Sequence, residues 1–282
     1  MMKTGLVIEG GGVRALFAAG VLDAILDDNI KFDGVIGVSA GAVHGSSFVS
    51  KQKGRTLSIY KTFSKDSRFM GLGNFLRTGD MCDADFCYHT VQEELVPFDH
   101  RAFETSDSEF YVVCTNVETG AAEYIRITDM KAQIDYLRAS ASVPFLSRPV
   151  SCGDKLFLDG GCGDSIPFAA FKKLGFARCV VVLTREAGYA KKPMSKFLIN
   201  AVYRKYPAFA ASLRRRHEVY NAAIDELADA EAAGTAFVIR PPAALAIGRW
   251  TREPKLMQQA YDIGLKSADA CLHRLKLFLH GE

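Results

Sequence analysis

Three clusters in this 282-residue chain combine residue types suited to attack on a carbonyl. Gly10-Gly11-Gly12 lies between the apolar run Thr4 to Glu9 and a helical pattern that starts near Arg14. Glycines there let backbone N–H groups converge at a helix start, where they attract negative charge. Such a turn cradles either a phosphate or the oxyanion of an acyl-transfer intermediate. Gly37-Val38-Ser39-Ala40-Gly41 is a GxSxG pentapeptide, again between a strand and a helix. In that setting a sharp turn strains the serine backbone and exposes its hydroxyl, which makes Ser39 the candidate nucleophile. Asp159-Gly160-Gly161 follows the strand pattern Lys155 to Leu158. Asp159 therefore projects from a strand end as a candidate base, although an Asx turn would use the same residues.

A serine hydroxyl needs a base, and histidine is the usual one. Here His217 sits among Arg214, Arg215, Arg216 and Glu218, His273 and His280 share a terminal helix, and His44 follows the serine on its own helix. His89 and His100 precede any acid candidate. None has the turn-after-strand setting that holds a triad histidine, so structural roles are expected for all six and the carboxylate is the better base. Gly10, Gly12 and Ala15 also fit a loose dinucleotide fingerprint, but the second strand ends in Gly37-Val38-Ser39 rather than in the required acid. Seven scattered cysteines without a CxxC pair indicate neither a disulfide framework nor a zinc site. No metal and no cofactor is expected.

The elements that must position these clusters alternate. Strand 4–9, helix 14–28, strand 33–37 and helix 40–50 are the grammar of an α/β sheet with crossover connections. Residues 54–105 are irregular, with helices near 57–64 and 85–95. Strands 109–117 and 122–127, helix 130–140, a hairpin 150–158 about Gly153-Asp154, helix 167–174 and strand 178–183 follow. A basic segment, an acidic helix 217–233, strand 236–239 and a helical C-terminus from Pro254 complete the pattern. With no internal repeat or long linker, residues 1–282 read as one domain: a motif-bearing core of about 5–183, then a basic helical segment and C-terminal elaboration of about 184–282.

Composition excludes several classes. At 49% hydrophobic and 24% charged residues the chain is neither disordered nor a coiled coil. It has no apolar run of membrane-spanning length, and its first residues lack a leader's apolar stretch, so the cytoplasm is the expected compartment. The net charge of +3 hides an asymmetry: Lys172 to Arg216 holds twelve Lys or Arg against Glu186 alone, leaving −8 elsewhere. Between Lys191 and Arg216 the bases alternate with Phe197, Leu198, Ile199, Val202, Tyr203, Tyr206, Phe209 and Leu213. That mixture suits a lid or amphipathic helix on an anionic membrane, a partner face, or a solvated face. No nucleic-acid reading motif accompanies it.

In order and context, Gly10-Gly11-Gly12-Val13-Arg14, Gly37-Val38-Ser39-Ala40-Gly41 and Asp159-Gly160-Gly161 resemble the patatin-like phospholipase family. Ala139-Ser140-Ala141-Ser142-Val143-Pro144-Phe145 is similar to the family's Ala-Ser-x-x-x-Pro segment, and Ala15 stands where many members carry another glycine. The resemblance spans about residues 5–183. It implies a three-layer α/β/α fold with a mostly parallel central sheet, and a serine lipid acyl hydrolase of phospholipase A or lysophospholipase type. By position it makes Ser39 the nucleophile, Asp159 its base, and the Gly10, Gly11 and Gly12 amides the oxyanion hole. Arg14 either fixes the glycine turn, adds positive potential, or is a helix-surface arginine.

A carboxylate is a weak base toward a serine hydroxyl, so dyad chemistry needs a closed, apolar pocket with strong oxyanion stabilisation. Phe145, Leu146, Phe17 and Phe168 are candidates for an acyl groove or for ordinary core. Two other readings stay open. One keeps Ser39 and Asp159 but acts on small soluble esters; the other is a noncatalytic lipid- or nucleotide-binding module, which has no need for both residues.

Overall fold

The computed structural model describes residues 2–281. Strands β1 (Thr4–Ile8), β2 (Gly34–Val38), β3 (Glu109–Asn116), β4 (Ala122–Ile127), β5 (Val150–Cys152), β6 (Lys155–Asp159), β7 (Arg178–Val182) and β8 (Ala236–Ile239) form one sheet. Successive pairings link β5-β6-β3-β2-β1-β7-β8, with β4 also paired to β3. The run β3-β2-β1-β7-β8 is parallel, whereas the β3–β4, β3–β6 and β5–β6 pairs are antiparallel. The helices are α1 (Leu16–Asp27), α2 (Ala40–Val49), α3 (Arg55–Phe63), α4 (Leu72–Thr78), α5 (His100–Glu104), α6 (Ile134–Ser140), α7 (Phe168–Lys173), α8 (Lys196–Val202), α9 (Pro207–Ala232), α10 (Pro254–Asp269) and α11 (Leu272–His280).

Period-two side-chain alternation sorts the core into two layers. Leu6 and Ile8 of β1, Val35 of β2, and Val180 and Val182 of β7 pack with Phe17 and Val21 of α1 and Phe48 of α2. Their strand neighbours Val7, Ile36 and Val181 face the other way, onto Phe168 and Phe171 of α7 and Tyr220 and Leu227 of α9. Helices thus cover both faces, and the expected three-layer α/β/α architecture is present. Phe17 and Phe168 belong to these opposite core layers, so core packing and not an acyl groove is their role.

Several boundaries differ from the sequence pattern for identifiable reasons. The first helix opens as a tight turn, Gly12–Ala15, before α1. Residues 86–95 wind as a π-helix. The acidic helix expected from His217 starts instead at Pro207, a residue preorganised for a first helical turn, and the buried Phe209 and Leu213 extend its apolar stripe into the basic run. Short helices α4 and α5 occupy parts of the stretch that sequence left unassigned.

The C-terminal helices are fastened to the core by a backbone-to-backbone crossing. A β-carbon on Gly20 of α1 would sit 2.1 Å from the Tyr261 carbonyl oxygen, and one on Gly264 of α10 would sit 2.0 Å from that of Phe17. Only glycine admits this approach. No described helix is long and apolar enough to cross a membrane.

His44, on α2, is fully enclosed, and neither ring nitrogen has a partner among the described residues. Burial lowers its pKa from an ordinary 6.5 to about 3. The unfolded chain takes up this proton as pH falls below about 6.5 while the folded chain refuses it, so His44 stabilises fully above that pH. Between pH 6.5 and 3 acidification should remove up to about 1.4 kcal/mol per unit through this residue. Thermal unfolding of His44→Phe should accordingly show a shallower decline from pH 6.5 to 4 than the parent; equal slopes would refute the assignment.

Candidate active site

The register of β3 brings two strand ends together. β2 rises parallel to β3 and its last pair is Val38 with Val113; β6 descends antiparallel and pairs Asp159 with Cys114. The opposite edge of β3 is filled by β4 across the same rungs, so β2 and β6 meet on one edge, one residue apart. The chain leaves β2 directly into Ser39, and β6 ends at Asp159. Each is 7% exposed, and both line one cavity of about 390 Å³. Among the described residues no hydrogen bond of normal geometry joins their side chains.

Ser39 stands at φ 56°, ψ −129°, outside the favoured regions for a non-glycine residue. The strain is held from several sides. A β-carbon on Gly41 would meet the Ile8 carbonyl oxygen at 2.5 Å, so α2 lies tightly against the end of β1. The Ser39 amide donates to Ser140 Oγ at 2.9 Å, and Ser140, the last residue of α6, is fully buried. Two residues later the Ser142 carbonyl accepts the Asp159 amide at 2.9 Å. The Ala139–Phe145 segment therefore braces both strand ends, a role its sequence similarity did not reveal. Asp159 is further fixed by the Gly161 amide on its Oδ1 at 2.8 Å and by Thr115 Oγ1 on its carbonyl at 2.9 Å.

Gly10 packs on this elbow: a β-carbon there would lie 2.7 Å from the Val38 oxygen and 2.8 Å from Ser39 Cβ. The amides of Gly10, Gly11 and Gly12 have no acceptor among the described residues, and all three glycines line the cavity. Val13, next in line, gives its amide to the Arg249 carbonyl at 3.1 Å, which roofs the turn. Arg14 is buried, not on a helix surface; its Nε donates to the Thr184 carbonyl at 3.2 Å. The Thr184 amide in turn donates to the Glu9 carboxylate at 2.6 Å and its hydroxyl to the Gly10 carbonyl at 2.9 Å. Arg14 thus ties the glycine turn to the end of β7. Burial, then the neighbouring Arg185, lowers its pKa to about 10.

Phe145 and Leu146 line the cavity, with Phe145 at φ 70°, its amide donating to the Tyr203 hydroxyl at 2.8 Å. No histidine lines it. Sequence reasoning missed a group of cations that do: Arg185, Lys191, Arg216 and Arg249. The basic triplet, read as one patch, splits three ways. Arg214 donates to Asn200, Arg215 pairs with Glu218 on the outside, and the Arg216 Nε donates to the Gly161 carbonyl. Lys191 Nζ donates to Ser165 Oγ at 3.1 Å and lies 3.7 Å from the Tyr220 ring centroid. Burial chiefly, then Arg216, depresses the Lys191 pKa, and the same causes depress that of Arg249.

Residues 6–172 match the family described as patatin-like phospholipase, and residues 206–280 match a domain of unknown function, DUF6363. The chain is 30% identical over 187 residues to the uncharacterized protein YjjU of Escherichia coli, covering 64% of this chain and 52% of that one. It is 31% identical over 181 residues to lysophospholipase nte1 of Emericella nidulans, covering 61% of this chain and 11% of that one. It therefore matches about half the length of the bacterial relative and about a tenth of the fungal one. VipD from Legionella pneumophila shares the fold at a TM-score of 0.51 and 13% identity, covering 97% of this chain and 67% of that structure.

The brace on the elbow is testable. Ser140→Ala leaves the buried Ser39 amide without an acceptor, which should lower stability by about 1–3 kcal/mol. It should also slow the reaction of Ser39 with a fluorophosphonate. Denaturant titration and labelling kinetics measure the two effects, and a variant matching the parent in both would show that the contact positions nothing.

Proposed function

The chain belongs to the patatin-like phospholipase family, and from that premise we propose that it is a serine lipid acyl hydrolase of phospholipase A or lysophospholipase type. The observation that carries the reading is the meeting of β2 and β6 on one edge of β3, which puts Ser39 and Asp159 in one cavity with three unengaged glycine amides. Ser39 Oγ attacks the ester carbonyl as Asp159 takes its proton. The Gly10, Gly11 and Gly12 amides hold the oxyanion of the tetrahedral intermediate, which collapses to an acyl-serine as the alcohol leaves with the proton from Asp159. Water then enters, Asp159 accepts a proton from it, and a second tetrahedral intermediate releases the fatty acid and restores Ser39. Arg14 acts through Thr184 on the turn and not on the substrate.

The same reading treats residues 1–282 as one catalytic unit, supported by the crossing of α1 with α10 and by a cavity lined from both matched segments. It makes the protein a cytoplasmic enzyme that meets its substrate at a membrane surface. Phe197 is 84% exposed on α8 and is flanked by exposed Leu198 and Val202. Leu198 also lines the cavity, so this apolar face borders its mouth. Exposed Lys192 and Lys196 add attraction to anionic lipid.

Two experiments follow. Fatty-acid release from phospholipids, lysophospholipids and short p-nitrophenyl esters should fall at least about a thousandfold in Ser39→Ala. Asp159→Asn should lose about a hundredfold or more while keeping the fold by circular dichroism. Turnover of short esters alone would make the protein a soluble esterase, and serine-independent turnover would end the dyad reading. Separately, Phe197→Asp should reduce sedimentation with anionic vesicles without altering short-ester hydrolysis; undiminished sedimentation would move the membrane face elsewhere.

A further inference from the structure

Five cationic side chains line the cavity, Arg14, Arg185, Lys191, Arg216 and Arg249, against two carboxylates, Glu9 and Asp159. Partly buried cations normally recover lost hydration from a carboxylate partner. Among the described residues none of the five forms such an ion pair. Glu9 is engaged with Thr184, and Asp159 with the Gly161 amide. Among the described residues, Arg14, Lys191 and Arg216 give hydrogen bonds to uncharged acceptors only, and the guanidiniums of Arg185 and Arg249 have no acceptor. Repulsion among them is one of the causes that depress the Lys191 and Arg249 pKa values. A cavity wall of this kind suits an anion.

We propose that Arg185, Lys191, Arg216 and Arg249 form a recognition wall for the phosphate of an acyl-ester substrate whose head bears no compensating cation. This rests on the hydrolase reading, whose oxyanion has its own donors in the glycine amides. The two free guanidinium forks suit a phosphate, which accepts paired N–H bonds. A choline head brings a quaternary ammonium that this wall repels. Two aromatic faces beside the wall are already covered by its own cations: the Arg185 guanidinium lies 4.2 Å from the Tyr189 ring centroid and the Lys191 ammonium 3.7 Å from that of Tyr220. Arg185 and Lys191 lie between the two family-matched segments, whereas Arg216 and Arg249 fall within residues 206–280. The segment matching a domain of unknown function thereby acquires a task, selection of the head group.

Trp250 is the only tryptophan and lines the cavity beside Arg249, which permits a test without turnover. In Ser39→Ala protein, glycerol 3-phosphate should change Trp250 fluorescence saturably, and glycerophosphocholine should not. Arg185→Gln should weaken that binding about tenfold, the loss expected for one charge-assisted contact; Arg249→Gln is the second variant should the first fail to fold. In the parent, kcat/KM for a lysophosphatidic acid should exceed that for lysophosphatidylcholine of the same acyl chain by at least about tenfold, both in neutral detergent micelles that hold surface charge constant. Arg185→Gln should collapse that ratio, whereas Lys173→Gln, an exposed charge on α7 away from the cavity, should leave it intact. Equal response to the two head groups, or no response, overturns the wall even if the enzyme hydrolyses lipids. Phosphate binding without any hydrolysis would instead keep the wall and overturn the hydrolase reading.

Discussion

The site depends on one geometric constraint: two strands of opposite direction end on adjacent rungs of the same edge of β3. A parallel strand delivers its last residue at the top of the sheet, as Val38 does to Ser39. A strand reaching the same level from above has to be antiparallel, and β6 is. The β5–β6 hairpin is therefore the device that carries a carboxylate into the space above β2, where no parallel crossover could leave one. Thr115, one residue along β3, closes this arrangement by donating to the Asp159 carbonyl, and the tight passage of Gly160 over the Val113 carbonyl lets the chain turn away at once.

Several contacts at the end of β2 serve to hold Ser39 under strain. Ser39 sits in a backbone conformation that is costly in isolation, and it persists because Ser140, Gly41 and Gly10 enclose it. The glycine turn is held in the same manner, from β7 through Thr184 and from the C-terminal segment through the Arg249 carbonyl. That second support makes α10 and the loop before it part of the site, although they lie far along the chain. The glycine-to-glycine crossing of α1 and α10 transmits the position of the C-terminal segment to the start of α1, directly after the turn.

How much of this was legible in the sequence follows from what kind of signal each part leaves. Ser39, Asp159 and the three glycines announce themselves because strained turns and close approaches admit few residue types. The parallel strands were legible as apolar runs bounded by turns, whereas their order in the sheet appears only in the fold. Ser140 and Ser142 gave no such signal, since any small residue can end a helix and only the fold shows what their polar atoms meet. The basic stretch misled in a specific way. Its composition is the same whether Lys191 and Arg216 face solvent or a cavity, and α9, starting at Pro207 instead of near His217, rotates Arg216 inward while leaving Arg215 outside. Arg249, in a loop, carried no periodicity at all.

The proposed cationic wall and the proposed Ser39–Asp159 dyad are not independent parts, because they share one residue. Gly161 donates its amide to the Asp159 carboxylate and accepts the Arg216 guanidinium on its carbonyl. The two bonds polarise the peptide units that flank this residue, and both orient the same short loop after β6. On the proposed reading, an anion that draws Arg216 toward itself acts on the loop that orients the Asp159 carboxylate. The proposed head-group contact and the proposed proton transfer thus meet at a single glycine, in a closely packed segment. In the proposed mechanism, selection of a substrate by charge and alignment of the Asp159 carboxylate are then two consequences of one arrangement of backbone.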